Sequence, residues 1–420
     1  MATIGPGDDN GGLTSADAAT LADGVRSARD QRLPFVARLT MSGVSVAEGL
    51  DAADAWGRVA RELVRASGVI PILMAVHGPV VSGPSLLLGL ADVVVFTPEA
   101  YAFVTGPAVV QSYTGEPITT TALGGVGAHS RNTGLASLVV DSPEAALDGL
   151  AAVLQHLPDH VDESPPNLPT DDPTNRPTPE AADLLPTTAI GSYDVREIVH
   201  IVADDGEFLE LRAGWAPNLV TGFAFIGGHS VGVVANQTQA LAGSIDIPAA
   251  QKGASFVTMC DSLNVPILTM VDTSGFLPGK DLEWRGMIRH GAQLAFAYAR
   301  ATVPRIGLIL RKSYGGAYIV MDSRYMGNDL MLAWPSAEVA VMGAKGAVEI
   351  LHRGATDEQR RKLEAEYEDQ FLTPYVAAER ASITAVIDPA ETRREIAAAL
   401  DLLVTKRERL RPRRHDNSPL

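Results

Sequence analysis

Residues 303–321 read VPRIGLILRKSYGGAYIVM. A proline opens a run rich in Ile and Leu, and short apolar runs bounded by turn residues read as buried strands. The run ends in Gly315-Gly316 and reopens at Ala317-Tyr318. Two glycines permit backbone geometry that a side chain would block, and the residues after them read as the start of a helix, where unpaired N–H groups point outward. The stretch is therefore a strand, a tight turn and a helix opening that can hold an anion.

A second, weaker copy lies in the first half. The run PILMAVHGPVVSGPS starts at Pro71, and Pro71 to Gly83 is the same separation as Pro304 to Gly316. Further on, Pro98 to Gly106 in TPEAYAFVTG matches Pro335 to Gly343 in WPSAEVAVMG, each with an apolar strand between the proline and the glycine. Two matched separations indicate an internal duplication. A chain of 420 residues is too long for one ordinary core, and duplication supplies two.

Composition narrows the classes. Apolar content of 46% against 20% charged residues describes a globular, core-forming chain rather than a disordered one. A net charge of −16 argues against nucleic acid or an acidic membrane as the main partner, while local donors can still take a small anion. Cys260 is the single cysteine, which excludes an intramolecular disulfide framework and a cysteine-built zinc ribbon. With no signal-peptide pattern in MATIGPGDDNGG and no apolar run of membrane-spanning length, the expected compartment is the cytosol.

In chain order, residues 1–13 are Gly- and Asp-rich and are expected to be mobile. Thr14 or Ser15 can cap a helix to about Arg29; residues 34–39 (PFVARL) read as a strand; and Leu50, Ala53, Trp56, Val59, Ala60 and Leu63 recur at helical spacing within residues 46–66. Alternation of this kind favours a layered α/β fold. The glycines of TGEPITTTALGGVGAHSRNTG predict surface loops over a site, and Asp141-Ser-Pro-Glu144 caps a helix to about Leu157. Residues 158–190, dense in proline and acid, read as an extended linker. The divisions expected are thus 14–157, a linker at 158–190, 191–408, and a basic tail at 409–420. In the second half, Asp205-Gly206 and Gly227-Gly228 predict two hairpins; PILTMV is a buried strand; helices are expected over 286–301, 345–352 and 356–382; and Asp388-Pro389 starts the last one.

No P-loop, paired-His metal motif or Gly-x-Ser-x-Gly elbow is present, so a serine triad is unsupported and no metal is expected. What remains is two glycine turns whose backbone donors could face an oxyanion; such donors contribute about 2.7–4 kcal/mol each where water is excluded. A lone Gly-Gly is more often just a turn, and the duplication is what raises these two. Cys260 reads as a small buried apolar residue, and Lys345 and His129 read as a solvated lysine and a loop histidine before they read as phosphate contacts.

The segments NLVTGFAFIGGHSVGVVANQ, VDTSGFLPG, IRHGAQLAFAYARATVPRIGLILRKSYGGAYIVM and AWPSAEVAVMGAKGAVEI resemble the carboxyltransferase subunit of biotin-dependent acyl-CoA carboxylases, the acetyl- and propionyl-CoA type. The first half keeps ASGVIP, FVTGP and TGE, whereas the family's Cys-Ala-Gly-Gly-Ala turn reads Val80-Val81-Ser82-Gly83-Pro84, and Ser45 stands where the family commonly has arginine. The chain is about a hundred residues shorter than the family's usual length, a shortfall before Ser15. The resemblance implies two crotonase-like spiral domains, acyl-CoA bound mainly by the first and carboxybiotin mainly by the second, in an oligomer of at least a dimer and commonly a trimer of dimers. It implies that the N–H groups of Gly316 and Ala317 receive the biotin ureido oxygen and that those of Ser82 and Gly83 hold the thioester enolate. Gly315, Tyr318, Ile319, Gly106, Gly124 and Gly125 would contact substrate, and Gly275 and Phe276 would contact biotin. Ile319 stands where propionyl-type members often carry Asp and acetyl-type members an apolar residue. Biotin itself would remove the α-proton. The chain has no Met-Lys-Met biotinylation site and no ATP loop, so the carrier and the biotin carboxylase would be other polypeptides.

Two other readings stay open: decarboxylation of a malonyl-type thioester without biotin, and a non-catalytic subunit completing the sites of a full-length paralogue, which the altered Ser82-Gly83-Pro84 turn keeps in view.

Overall fold

The computed structural model describes residues 1–5, 11–188, 190–406, 408, 410–412 and 414–419. The chain forms two compact units. Unit 1 comprises Met1–Pro166 with Leu211–Ala216 and Ser262–Asn264, and unit 2 comprises Asn167–Glu210, Pro217–Asp261 and Val265–Leu420.

Unit 1 is built on strands β1 (Ala2–Ile4), β2 (Phe35–Met41), β3 (Ile72–Val81), β4 (Val93–Phe96), β5 (Tyr101–Phe103) and β6 (Leu138–Val139). Their order is β1-β2-β3-β4-β6 with β5 paired to β3, and every pairing is parallel. A parallel sheet is covered on both faces, so its central strands read as continuous apolar runs, and the first five residues of β3 are all buried. The helices Ser15–Gln31 and Leu50–Ala66 pack Leu21, Val25, Val59 and Leu63 into this core. Thr14 starts the first of them with a capping box to Asp17, each satisfying an otherwise orphaned N–H.

Unit 2 contains β7 (Phe208–Leu211), β8 (Leu219–Ile226), β9 (His229–Asn236), β10 (Ile267–Thr273), β11 (Arg305–Tyr314), β12 (Leu330–Ala333), β13 (Glu338–Ala340) and β14 (Ala385–Val386). Their order is β14-β12-β11-β10-β9-β8-β7, with β13 on β11. Of the two expected hairpin turns, Gly227-Gly228 makes one, joining β8 and β9. All of β10 is buried, and Ile198, Val233, Leu268, Ile306, Leu308, Trp334 and Ile396 are among the residues that fill the core.

The duplication read from proline and glycine spacing is physical. β3 and β11 each have ten residues, and each pairs with a preceding parallel strand and two following ones. The irregularities coincide too: the register of β2 on β3 shifts between Leu39 and Met41, and that of β10 on β11 between Val271 and Thr273. Each bulge lies just before the glycine turn and re-aims the strand end.

Four local expectations need correction. The segment REIVHIV is the helix Val195–Val202, capped by Asp194 and followed by a one-turn link, not the first strand of a hairpin. The glycine-rich region after Val109 is mostly short helices, at Pro107–Thr114, Thr120–Gly124 and Val126–Ala128, because glycines at the joints cap one turn and open the next. The helix expected over 356–382 runs to Tyr367, continues as a π-helical turn over Glu368–Leu372 and ends there, and Thr373 with Pro374 starts a separate one, Pro374–Glu379. The N-terminal stretch expected to be mobile contains β1, paired to β2, although residues 6–10 lie outside the described residues, as do parts of the basic tail. Within the proline-rich segment, Thr178 is fully buried and donates its hydroxyl to the Pro389 carbonyl (3.0 Å). No helix among the described residues is long and apolar enough to cross a membrane.

Candidate active site

In unit 2, β11 ends at Tyr314, and the helix Gly315–Val320 begins at once. Gly315 has φ +60°, the left-handed region where a Cβ is costly, and the bend it allows carries the chain from strand to helix without a linker. The first N–H groups of a helix have no intrahelical acceptor. Gly315, Gly316, Tyr318 and Ile319 line a cavity of about 490 Å³ whose other walls include Val339, Val341, Tyr367 and Phe371. The region that broke the expected long helix therefore supplies half of this cavity. Ile319 is 38% exposed and turns toward it. Ala317 does not line it: the residue is fully buried behind Gly316. Of the two residues expected to present their amides to a ligand, Gly316 lies on the cavity wall and Ala317 is buried directly behind it.

Phe276 packs beside Gly316, although neither it nor Gly275 is among the residues lining that cavity. The loop after β10 is pinned by Ile245 N–H to the Gly275 carbonyl (3.0 Å) and Leu277 N–H to the Ile245 carbonyl (2.9 Å). Phe276 Cε2 then lies 3.4 Å from where a Cβ on Gly316 would sit, which places the ring against the turn. Behind both turns sits Asp272. Its carboxylate accepts hydrogen bonds from the Tyr193 hydroxyl (2.9 Å), Arg311 Nε (3.0 Å) and the Lys312 N–H (3.2 Å). One carboxylate thus ties the end of β10 to the end of β11. Burial raises its pKa, and the adjacent Arg311 opposes that rise. Tyr314 donates to the Glu338 carboxylate, and burial followed by that carboxylate raises its pKa; burial likewise raises that of Tyr318. These hydroxyls stay protonated at neutral pH and can donate, but they are not bases.

In unit 1 the equivalent turn follows β3. Ser82 takes φ 64° and ψ −156°, a region otherwise held by glycine, at a cost of about 1–3 kcal/mol. Ser82 aligns with Gly315, Gly83 with Gly316 and Pro84 with Ala317. The Ser82 N–H donates to the Phe103 carbonyl (2.9 Å). This corrects the expectation that it holds an enolate: the ladder between β3 and β5 runs one residue past Val81 and consumes that amide. Gly83, which opens the 3₁₀ helix Gly83–Leu90, is left as the backbone donor.

Gly106, Gly124 and Gly125 gather around β5. A Cβ on Gly106 would sit 3.5 Å from the Phe103 ring, and one on Gly124 would sit 2.0 Å from the Ala102 carbonyl oxygen. Gly125 forms an isolated bridge to Tyr101. The structure therefore joins these glycines to Ser82 through Phe103, a residue the sequence reading passed over. Trp56 was also missed as a site residue; its indole edge lies against Gly83. His129 is structural, with Nε2 on the Ala102 carbonyl (2.8 Å) and Nδ1 on Thr133 (2.9 Å). Lys345 is exposed in the first turn of the helix Ala344–Leu351, while Cys260 and Ser45 are buried.

Two α/β units, each ending its longest parallel strand in a strained or glycine-bearing turn, define a crotonase-like protein. The family model described as the carboxyl transferase domain matches residues 9–418. The methylmalonyl-CoA carboxyltransferase 12S subunit of Propionibacterium freudenreichii subsp. shermanii is 42% identical over 393 residues, covering 92% of this chain and 75% of that protein. The methylmalonyl-CoA decarboxylase subunit alpha of Veillonella parvula is 38% identical, covering 98% of this chain and 81% of that protein. A solved transcarboxylase 12S structure, described as a hexamer with methylmalonyl-coenzyme A and methylmalonic acid bound, superposes with a TM-score of 0.96 at 40% identity, covering 98% of this chain and 80% of that one. The chain belongs to the carboxyl transferase family.

Proposed function

We propose that the chain is the carboxyltransferase subunit of a biotin-dependent acyl-CoA carboxylase or transcarboxylase, moving a carboxyl group between carboxybiotin and the α-carbon of a short acyl-CoA of the acetyl or propionyl type. The observation that carries this reading is the Gly316 amide, at the opening of a helix, on the wall of an apolar cavity beside Phe276. The residues present fit biotin: an apolar wall for its rings and an N–H donor for the ureido oxygen, with no charged group needed. When bound, carboxybiotin supplies the activated carboxyl group, and its ureido nitrogen takes the α-proton. The protein's share is placement and charge stabilisation: Gly316 N–H steadies one oxygen, Gly83 N–H faces the thioester oxygen as it becomes negative, and the apolar walls exclude water, where such donors act most strongly. In this reading unit 1 is the acyl-CoA side and unit 2 the biotin side. The partners are a biotinylated carrier, a biotin carboxylase and at least one further copy of this chain.

The test is incubation of the purified chain with methylmalonyl-CoA and biotin methyl ester. Propionyl-CoA forming only when the ester is present supports transfer; equal release of CO2 and propionyl-CoA without it sinks the reading. That second outcome would point to the alternative, a biotin-independent decarboxylase, in which the same enolate site breaks the carbon–carboxyl bond and water supplies the proton.

A further inference from the structure

The unit 1 turn is short of donors. An oxyanion site works by converging several preorganised donors on one oxygen. Here the Ser82 amide is spent on Phe103, Pro84 has no N–H, and Gly83 alone of the three is left to donate. Two side chains at this turn carry donors that the backbone lacks. The indole Nε1 of Trp56, reaching over from the helix Leu50–Ala66, lies 3.1 Å from the position a Cβ on Gly83 would occupy, with Cε2 at 3.2 Å. Only glycine at 83 admits that edge of the ring. Trp56 is half-buried, and its indole N–H has no acceptor among the described residues. Ser82 is exposed and holds a conformation that glycine would adopt without cost, yet it carries a hydroxyl that has no partner among the described residues. Its carbonyl is meanwhile fixed by the N–H (3.0 Å) and hydroxyl (2.7 Å) of Ser85, so the strained residue cannot relax by swinging the turn.

We propose that the Trp56 indole N–H and the Ser82 hydroxyl complete the oxyanion site at Gly83, supplying from side chains the donors that the backbone of this turn lacks. The ligand is a thioester carbonyl oxygen acquiring negative charge, to which all three groups donate as neutral donors. The inference rests on the carboxyltransferase reading and adds to it two residues that touch the reacting oxygen.

The test compares wild type with Trp56→Phe and Ser82→Gly in the transfer of the carboxyl group from methylmalonyl-CoA to biotin methyl ester, with kcat and KM measured separately and thermal melting recorded. Trp56→Phe keeps the ring and loses the donor, so kcat should fall by about 100-fold while KM stays within twofold and the protein melts as wild type does. Ser82→Gly removes both strain and donor, so its melting temperature should rise while kcat falls. A purely structural Ser82 cannot move those two readouts in opposite directions. Wild-type kcat in either variant, or a change confined to KM, overturns the inference while leaving the carboxyltransferase reading in place. If wild type itself shows no biotin-dependent transfer, the reading fails first and the inference with it. Should Trp56→Phe not fold, Ser82→Gly alone still decides.

Discussion

Gly315→Ala bears on the geometry from which the unit 2 site is built. At φ +60° an alanine costs about 1–2 kcal/mol relative to its usual conformations. Its Cβ would also sit 3.1 Å from the Val341 carbonyl oxygen, a backbone atom just past β13 that cannot turn aside as a flexible side chain would. Crowding of that kind adds about 1–2 kcal/mol more. A total of about 2–4 kcal/mol corresponds to a melting-temperature drop of roughly 5–15 °C for a unit of this size. The remaining way to relieve the clash is to move the turn, and a displacement of about 1 Å in a positioned group costs about 100-fold in rate. Measured well below the melting transition, the variant should therefore be folded by circular dichroism yet transfer carboxyl groups about 100-fold more slowly. Gly346→Ala is the control: it lies within the helix Ala344–Leu351, where its Cβ would make only an ordinary 3.7 Å contact with Met342 Sδ. A Gly315→Ala protein that melts within 2 °C of wild type and turns over within threefold of it, on the order of measurement error, would refute the claim that this turn must be held in one place.

Two further outcomes follow from single residues. Gly124→Ala would place its Cβ 2.0 Å from the Ala102 carbonyl oxygen, backbone against backbone, and should destabilise unit 1 by at least about 3 kcal/mol, whereas Gly89→Ala, with nothing within 4 Å, should be neutral; chemical denaturation of the pair checks this. His156 is buried, and burial lowers its pKa to about 4. The unfolded chain takes up that proton near the ordinary value of about 6.5, so stability is unaffected at pH 7 and above and is lost as pH falls from 6.5 toward 4. The loss reaches about 3 kcal/mol. Denaturant melts of His156→Gln should show that much less acid sensitivity over this window, and identical wild-type and variant curves would count against a neutral buried imidazole.

The repeated strand and turn were legible because a doubly covered parallel strand must be apolar throughout and must be punctuated at its ends; Pro71, Gly83, Pro304 and Gly316 report that punctuation. The helix Val195–Val202 was misread because Ile and Val favour strands and Asp205-Gly206 suits a hairpin. Its buried positions, Val195, Ile198, Val199 and Val202, nevertheless follow helical spacing behind the Asp194 cap, a signal that was present in the sequence. The Ser82 amide could not be read at all: whether a ladder runs one residue past β3 depends on where β5 lies beside it. Trp56 shows the same limit. Its spacing marks a helix face, but only the packing of that helix on the turn puts the indole edge at Gly83.

A crystal structure of the full chain with biotin methyl ester tests the central claim most directly. The account predicts the ureido oxygen about 2.7–3.1 Å from the Gly316 nitrogen, with the bicyclic ring against the cavity wall formed by Ile319 and Val341. Biotin seated elsewhere, with the Gly316 N–H bonded to a protein carbonyl, would contradict it.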